Sequence, residues 1–268
     1  MNIERAVAFV TARGNPIEIA RMSSILWNQK SSRSALTRLQ RMQNEDGGYT
    51  MEQSGLSTVC ATVNVISWLD DLQLRSGPLV DMAFRFLLRH QHTDGGWDEV
   101  DEISRTNPPP FLVPGDTRTR TWLTACCAHW FVRFGRAQPP DSKGCPVEFL
   151  LGCREASGRL TGYLRATWDV LPLFSYYPGH DSSVFKETLT VIEREFASDN
   201  LEGSNLAWLL CCFRDAGLPR DHSLVKKALD ELARKQRPDG SWSSEDGEKS
   251  AVSATIEALR VLKHYGGV

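Results

Sequence analysis

The chain has 268 residues, of which 41% are hydrophobic and 24% charged, enough apolar side chains for a large core. Its 31 Lys+Arg and 33 Asp+Glu leave a formal net charge of -2, a balance that argues against a general nucleic-acid binder. No apolar run approaches the roughly 18 residues of a membrane span, and Glu4 and Arg5 precede only a short apolar stretch, so no signal peptide is expected and a cytoplasmic location is.

The N-terminal stretch AVAFVTARGNPIEIARMSSILWN predicts two short helices separated by Gly14-Asn15-Pro16. Beyond it the chain repeats itself. Residues 35–49 (ALTRLQRMQNEDGGY), 83–97 (AFRFLLRHQHTDGGW) and 228–242 (ALDELARKQRPDGSW) share one pattern: an Ala, apolar residues at helical spacing, a Gln, and Asp-Gly-Gly/Ser before an aromatic. The Gln residues are Gln43, Gln91 and Gln236, and the aromatics are Tyr49, Trp97 and Trp242. The apolar spacing predicts an amphipathic helix that Asp-Gly stops. The aromatic would fold back on the helix end, where the Gln amide can bond nearby backbone, a structural staple. A weaker copy runs from Pro146 to Tyr163 with Arg154 where Gln would stand, and a more worn one starts at Ser183.

After each staple comes a more apolar helix, expected to be buried: from Ser57, Thr119, Ala166, Ser204 and Ser250. The seven cysteines, Cys60, Cys126, Cys127, Cys145, Cys153, Cys211 and Cys212, fall mostly in such stretches and form no C-x-x-C pair. They read as reduced core residues, with no zinc knuckle.

The Gln-to-aromatic motif resembles the QW repeat of squalene-hopene and oxidosqualene cyclases, and is similar to the helical pairs of protein prenyltransferase β subunits. The resemblance covers most of the chain from Ala35. It implies an all-α fold, an (α/α) toroid or barrel with staples on the outer helices and a cavity among the inner ones, here as a single domain over residues 1–268. It also implies a hydrophobic small-molecule partner, an isoprenoid or isoprenoid diphosphate, and no cofactor. The acid motif D-x-D-D of those cyclases is absent. The nearest place reads Gly115-Asp116-Thr117-Arg118-Thr119-Arg120, and Asp70-Asp71 follows its helix instead of opening it. The prenyltransferase zinc set is not matched either, since His129 near Cys126 lacks a paired carboxylate in sequence.

Inner-helix starts would gather on one rim, with free amides and positive dipole ends. That selects Gln53, Asp116, Arg118, Arg120, Arg165, Trp168, Asp169, Glu202, Asn205 and Glu248. Asp169, flanked by Trp168 and Val170, has its charged form disfavoured among apolar neighbours and is the leading general acid, with Asp116 second. A buried Asp bonded to an Arg is the structural alternative. Arg118 and Arg120, read as sharing a face, would hold a phosphate or carboxylate unless they pair with Asp116 or the acidic loop of Asp98, Glu99, Asp101 and Glu102. That loop reads as a solvated linker. Trp122, Trp168 and Trp208, with Trp68 and Trp130, would offer π-faces to a carbocation or simply fill the core. The segment 98–114, with Pro108-Pro109-Pro110, is long enough to cover the rim.

Three functions fit these features: acid-initiated cyclisation or isomerisation of a hydrophobic substrate, non-catalytic binding of a hydrophobic ligand or protein partner, and, last, glycan hydrolysis by Asp98, Asp101 and Asp116.

Overall fold

The computed structural model describes residues 1–50, 55–137, 144–198 and 200–267. Gln53 lies outside them. Among the described residues the regular structure is almost all helix, with one two-stranded antiparallel sheet, β1 (Tyr49–Thr50) and β2 (Ser57–Thr58). Among the described residues no helix is long and apolar enough to cross a membrane. The chain divides into two compact units: Met1–Leu39, Asp71–Gln73 and Glu195–Val268 form the first, and Gln40–Asp70 and Leu74–Arg194 the second.

The expected helices are present. They are α1 (Ile3–Arg13), α2 (Pro16–Trp27), α3 (Arg33–Met42), α4 (Val59–Asp71), α5 (Pro78–Arg89), α6 (Thr117–Arg133), α7 (Pro146–Gly152), α8 (Leu164–Asp169), α9 (Leu171–Phe174), α10 (Ser183–Ser198), α11 (Gly203–Asp215), α12 (Ser223–Arg234) and α13 (Ala251–His264). Asn15 separates α1 from α2 as a capping box with Glu18, followed by Pro16, whose missing amide hydrogen costs nothing at a first helical position. The stretch from Ala166, expected as one helix, is two. Pro172 has no N–H for the carbonyl of Trp168, and the chain breaks into α8 and α9 there.

Each staple makes the same bonds. The Gln43 amide donates to Gly47 O in its own turn and to Leu79 O in the first turn of α5, both at 3.0 Å. Gln91 donates to Gly95 O (3.1 Å) and to Gly144 O, just before α7 (2.9 Å). Gln236 donates to Gly240 O (3.0 Å) and Asn2 O (2.8 Å), and accepts from Asn2 N (2.6 Å). One amide thus satisfies its own turn and the start of the next segment, and the last staple reaches Asn2, the N-cap of α1. The Trp97 and Trp242 indoles donate back to Leu87 O and Leu232 O, ten residues upstream. Gly95 and Gly240 have φ near +90°, and a Cβ at either would lie within 2.5 Å of backbone in the next segment.

The copy at 146–163 keeps this register with other chemistry. Arg154 pairs with Leu160 as Gln43 does with Tyr49 and Gln91 with Trp97, so Leu160, not Tyr163, fills the aromatic slot. Arg154 reaches Glu187 on α10 at 2.8 Å, an ion pair where the other copies use an amide and a carbonyl.

In the first unit α13 packs against α1, α2 and α11, and α11 against α12. There Asp71 sits between Arg21 (2.9 Å) and Arg260 (2.5 Å), all three buried. In the second unit α6 packs against α7, α8 and α9. Its middle, Leu123 to Phe131, is buried throughout, as its apolar sequence requires. The cysteines form no disulfide among the described residues.

Two stability effects follow. Gln236→Ala removes the three bonds that hold Asn2 and Gly240, so unfolding in urea should show a loss of about 1–3 kcal/mol, and deleting Met1 and Asn2 should add little to it. Asp71→Ala leaves two guanidinium groups buried side by side, and should cost about 3–5 kcal/mol or the folded state itself. A variant as stable as the wild type would show that this triad is not closed in solution.

Candidate functional site

The second unit holds a buried polar cluster between α6 and α8. Cys126 and His129, three residues apart on α6, share a face. Asp169, the last residue of α8, meets both: its Oδ2 accepts from the Cys126 thiol at 3.1 Å, and its Oδ1 lies 3.5 Å from His129 Nδ1. Asp169 and His129 are fully buried, Cys126 nearly so, and the His129 ring stacks on Trp130 at 4.9 Å. Burial, then the Asp169 charge, pushes the Cys126 thiol well above its ordinary value, so it stays protonated and donates. The arrangement can hold a carboxyl group in one orientation away from bulk water.

A second buried carboxyl lies near the start of α4. Glu99 accepts from Val59 N (3.0 Å), Cys60 N (2.6 Å) and Val100 N (3.1 Å), so a residue 40 positions away binds the free amides of this helix. Burial raises its pKa to about 7, against the pull of those amides. Asp98 accepts from Gly115 N and Glu99 N, both at 2.8 Å, and so ties the two ends of the loop 98–115. Burial raises this carboxyl too. The expected solvated linker is therefore divided: Asp101 and Glu102 are exposed, but Asp98 and Glu99 point inward. Sequence carried no signal for this, because the amides that Glu99 binds belong to a distant segment.

The residues selected from sequence are distributed as follows. Asp116 is the N-cap of α6, accepting from Arg118 N and Thr119 N. Its bond from the Arg118 guanidinium holds the carboxyl below the usual range, the opposite of what a general acid needs at neutral pH. Arg118 and Arg120 do not share a face. Residues two apart on a helix point about 200° from each other. Arg118 pairs with Asp116 (3.0 Å), while Arg120 turns to Asp94 (2.8 Å) and lies over the Phe149 ring. Of the two alternatives the arginines pair with nearby acids, Arg120 also lying 3.7 Å from Asp98, and the joint anion clamp is not formed. Trp122 is half-buried between Phe111 and Tyr163. Trp168 is buried beside Asp169, and Arg165 is half-buried in the first turn of α8. Asn205 and Trp208 belong to α11 in the first unit, where Asn205 donates to Glu245 at 2.9 Å. Glu202, bonded by the Ser243 hydroxyl, and Glu248, paired with Arg237, are in that unit as well.

No protein-family profile and no curated protein matches the sequence. Solved structures do match the fold. A protein from Actinoplanes superposes with a TM-score of 0.68 at 16% identity, covering 98% of each chain. The type II terpene cyclase MstE from Scytonema gives 0.66 at 14% identity over 99% of this chain and 97% of its own. A variant of MstE in complex with geranylgeranyl dihydroxybenzoate, described as its substrate, gives 0.64 at 14% identity over 99% and 96%. The chain thus has the all-α toroid fold of these terpene cyclase structures.

Glu99 gives the site a pH signature. Between 4.5 and about 7 the unfolded chain has released this proton and the folded chain still holds it. Stability therefore falls as pH rises through that window, by up to roughly 1.4 kcal/mol per unit. In urea titrations from pH 4.5 to 7.5, Glu99→Gln should flatten this decline. Parallel curves for variant and wild type would mean that Glu99 titrates as an ordinary carboxyl.

Proposed function

We propose that the protein is a terpenoid cyclase-like enzyme that acts on a hydrophobic, isoprenoid-type substrate, with Asp169 as its acid. The observation that carries this reading is the match of nearly the whole chain to the fold of MstE, which has been solved with geranylgeranyl dihydroxybenzoate as substrate and merosterolic acid A as product. The buried Asp169 adds to it, bonded by Cys126 and 3.5 Å from His129. In this reading residues 1–268 form one toroid domain.

The reaction is a proton transfer followed by ring closure. The Asp169 carboxylic acid gives its proton to the less substituted carbon of an alkene. The more substituted carbon becomes a cation, a neighbouring alkene attacks it, and loss of a proton from the product cation restores the acid-base balance. Electrons are only redistributed within the substrate, so no redox cofactor enters. Cys126 and His129 act as positioning residues, because they touch the carboxyl and not the alkene. The face of Trp168, next to Asp169 in the chain, would favour a nearby cation.

A second reading is supported by the full burial of Asp169 with both oxygens beside partners: a non-catalytic toroid that holds a hydrophobic ligand or a protein partner. One set of incubations separates the two. Purified protein is mixed with linear polyprenes and prenyl diphosphates, and products are followed by mass spectrometry. The enzymatic reading expects a product isomeric with its substrate, reduced at least about 100-fold in Asp169→Asn. Equal product from that variant removes Asp169 as the acid. Absence of any product, together with a lipid retained in native mass spectrometry, establishes the binding reading.

A further inference from the structure

We propose that the groove between the start of α1 and the ends of α2 and α13 is a contact between two copies of this chain, each placing its Trp27 in the groove of the other.

The groove belongs wholly to the first unit. It has a volume of about 380 Å³, with walls from Ile3, Val7, Leu26 and Trp27 and one charge of each sign, Glu4 and Lys263. A hollow of this size accepts a large side chain. Trp27 is 53% exposed, whereas the other tryptophans of the chain are buried or half-buried. It is the last residue of α2, and Asn28 stops the helix behind it in the left-handed conformation. The Gln73 amide donates to the Asn28 side chain and ties down that end. Trp27 thus stands on a fixed support, so little ordering entropy is lost when it is covered. An indole left in water on such a support is the kind of side chain that anchors protein interfaces.

The charges indicate what covers it. Glu4 suits the first turn of α1 and Lys263 the last turn of α13, where each meets the opposite end of a helix dipole. That accounts for their signs but not for their place beside one apolar groove. The two helices pack together, yet among the described residues neither charge has an ion-pair partner. A neutral hydrocarbon chain would gain nothing from either charge, and a charged amphiphile would be repelled by one of them. A two-fold axis through the groove answers both at once. It sets Glu4 of each copy against Lys263 of the other, and one surface then supplies both the protruding ring and the hollow. Standard interfaces bury about 800 Å² per partner, and a contact centred on a single groove is smaller, so the dimer is weak, with a dissociation constant of roughly 10–100 μM.

Sedimentation velocity of the full chain across that concentration range should show reversible dimerisation. Trp27→Ser should raise the dissociation constant at least about thirtyfold, because the lost ring counts twice in a symmetric pair, and should leave the melting temperature unchanged. Glu4→Lys and Lys263→Glu should each weaken self-association about fivefold or more. An equimolar mixture of these two variants should dimerise as well as the wild type, since both cross pairs become attractive again. A chain that stays monomeric at every concentration overturns the proposal. So does a dimer unaffected by Trp27→Ser, or a mixture of the two charge variants that associates no better than either alone. A lipid held by the monomer in native mass spectrometry and lost in Trp27→Ser assigns the groove to a hydrophobic ligand, and overturns the proposal as well.

Discussion

The repeated element of this molecule is a side-chain amide at the end of three of its amphipathic helices. An Asp-Gly turn bends the chain sharply and leaves carbonyls facing the next segment. Gln43, Gln91 and Gln236 each bond one carbonyl inside the turn and one beyond it. The same turns deliver a backbone N–H to a threonine of a following helix: Tyr49 to Thr62, Trp97 to Thr124, Trp242 to Thr255. Leu160 does the same with Thr167 in the copy that has lost both Gln and aromatic. Bonds of this kind contribute only about 1 kcal/mol each, but they fix the spacing of successive helices. In the second unit α6 packs on α8, and Asp169 meets Cys126 and His129 there.

Buried carboxyls in this chain divide by what answers them. Asp71 and Glu99 are both withdrawn from water, and burial raises the pKa of each. Asp71 faces two guanidinium groups whose full charges, with their hydrogen bonds, outweigh burial, so its pKa falls below the ordinary value. Glu99 is answered by the amides of Val59, Cys60 and Val100, which carry partial charges, and burial wins. Depth alone therefore does not decide the proton. A staple region that supplies only dipoles leaves an acid poised near neutrality, whereas a cation pair turns the same group into a fixed anion.

Much of the fold was legible in the sequence because its signals are local. Gln, Asp-Gly and an aromatic lie within seven residues, and the amphipathic spacing before them spans one helix. The candidate site was legible only in part. Asp169 was found from its apolar neighbours, and Cys126 with His129 from their helical spacing. Their convergence was not, since 43 residues separate Cys126 from Asp169. Asp98 and Glu99 looked solvated because four acids in five positions read as a surface loop. Arg118 and Arg120 looked like a clamp because two arginines with one residue between them share a face only in extended chain, and α6 begins at Thr117. Leu160 was missed because an apolar residue without an aromatic ring gives no pattern, although the turn around it keeps the backbone bridge.

The break at Pro172 shows how a local rule shapes the site. A proline inside a helix removes one amide donor and crowds the preceding turn. Had α8 run on uninterrupted, its apolar residues would have formed one buried rod with Asp169 in the middle. Instead α8 ends at Asp169 and α9 restarts at Leu171, and both pack on α6. The cost of burying the Asp169 carboxyl is met by polar groups of another helix, here a thiol and an imidazole on α6. Pro172→Ala would restore the amide without touching the polar groups, and so separates the effect of the break from that of the cluster on where the acid is held.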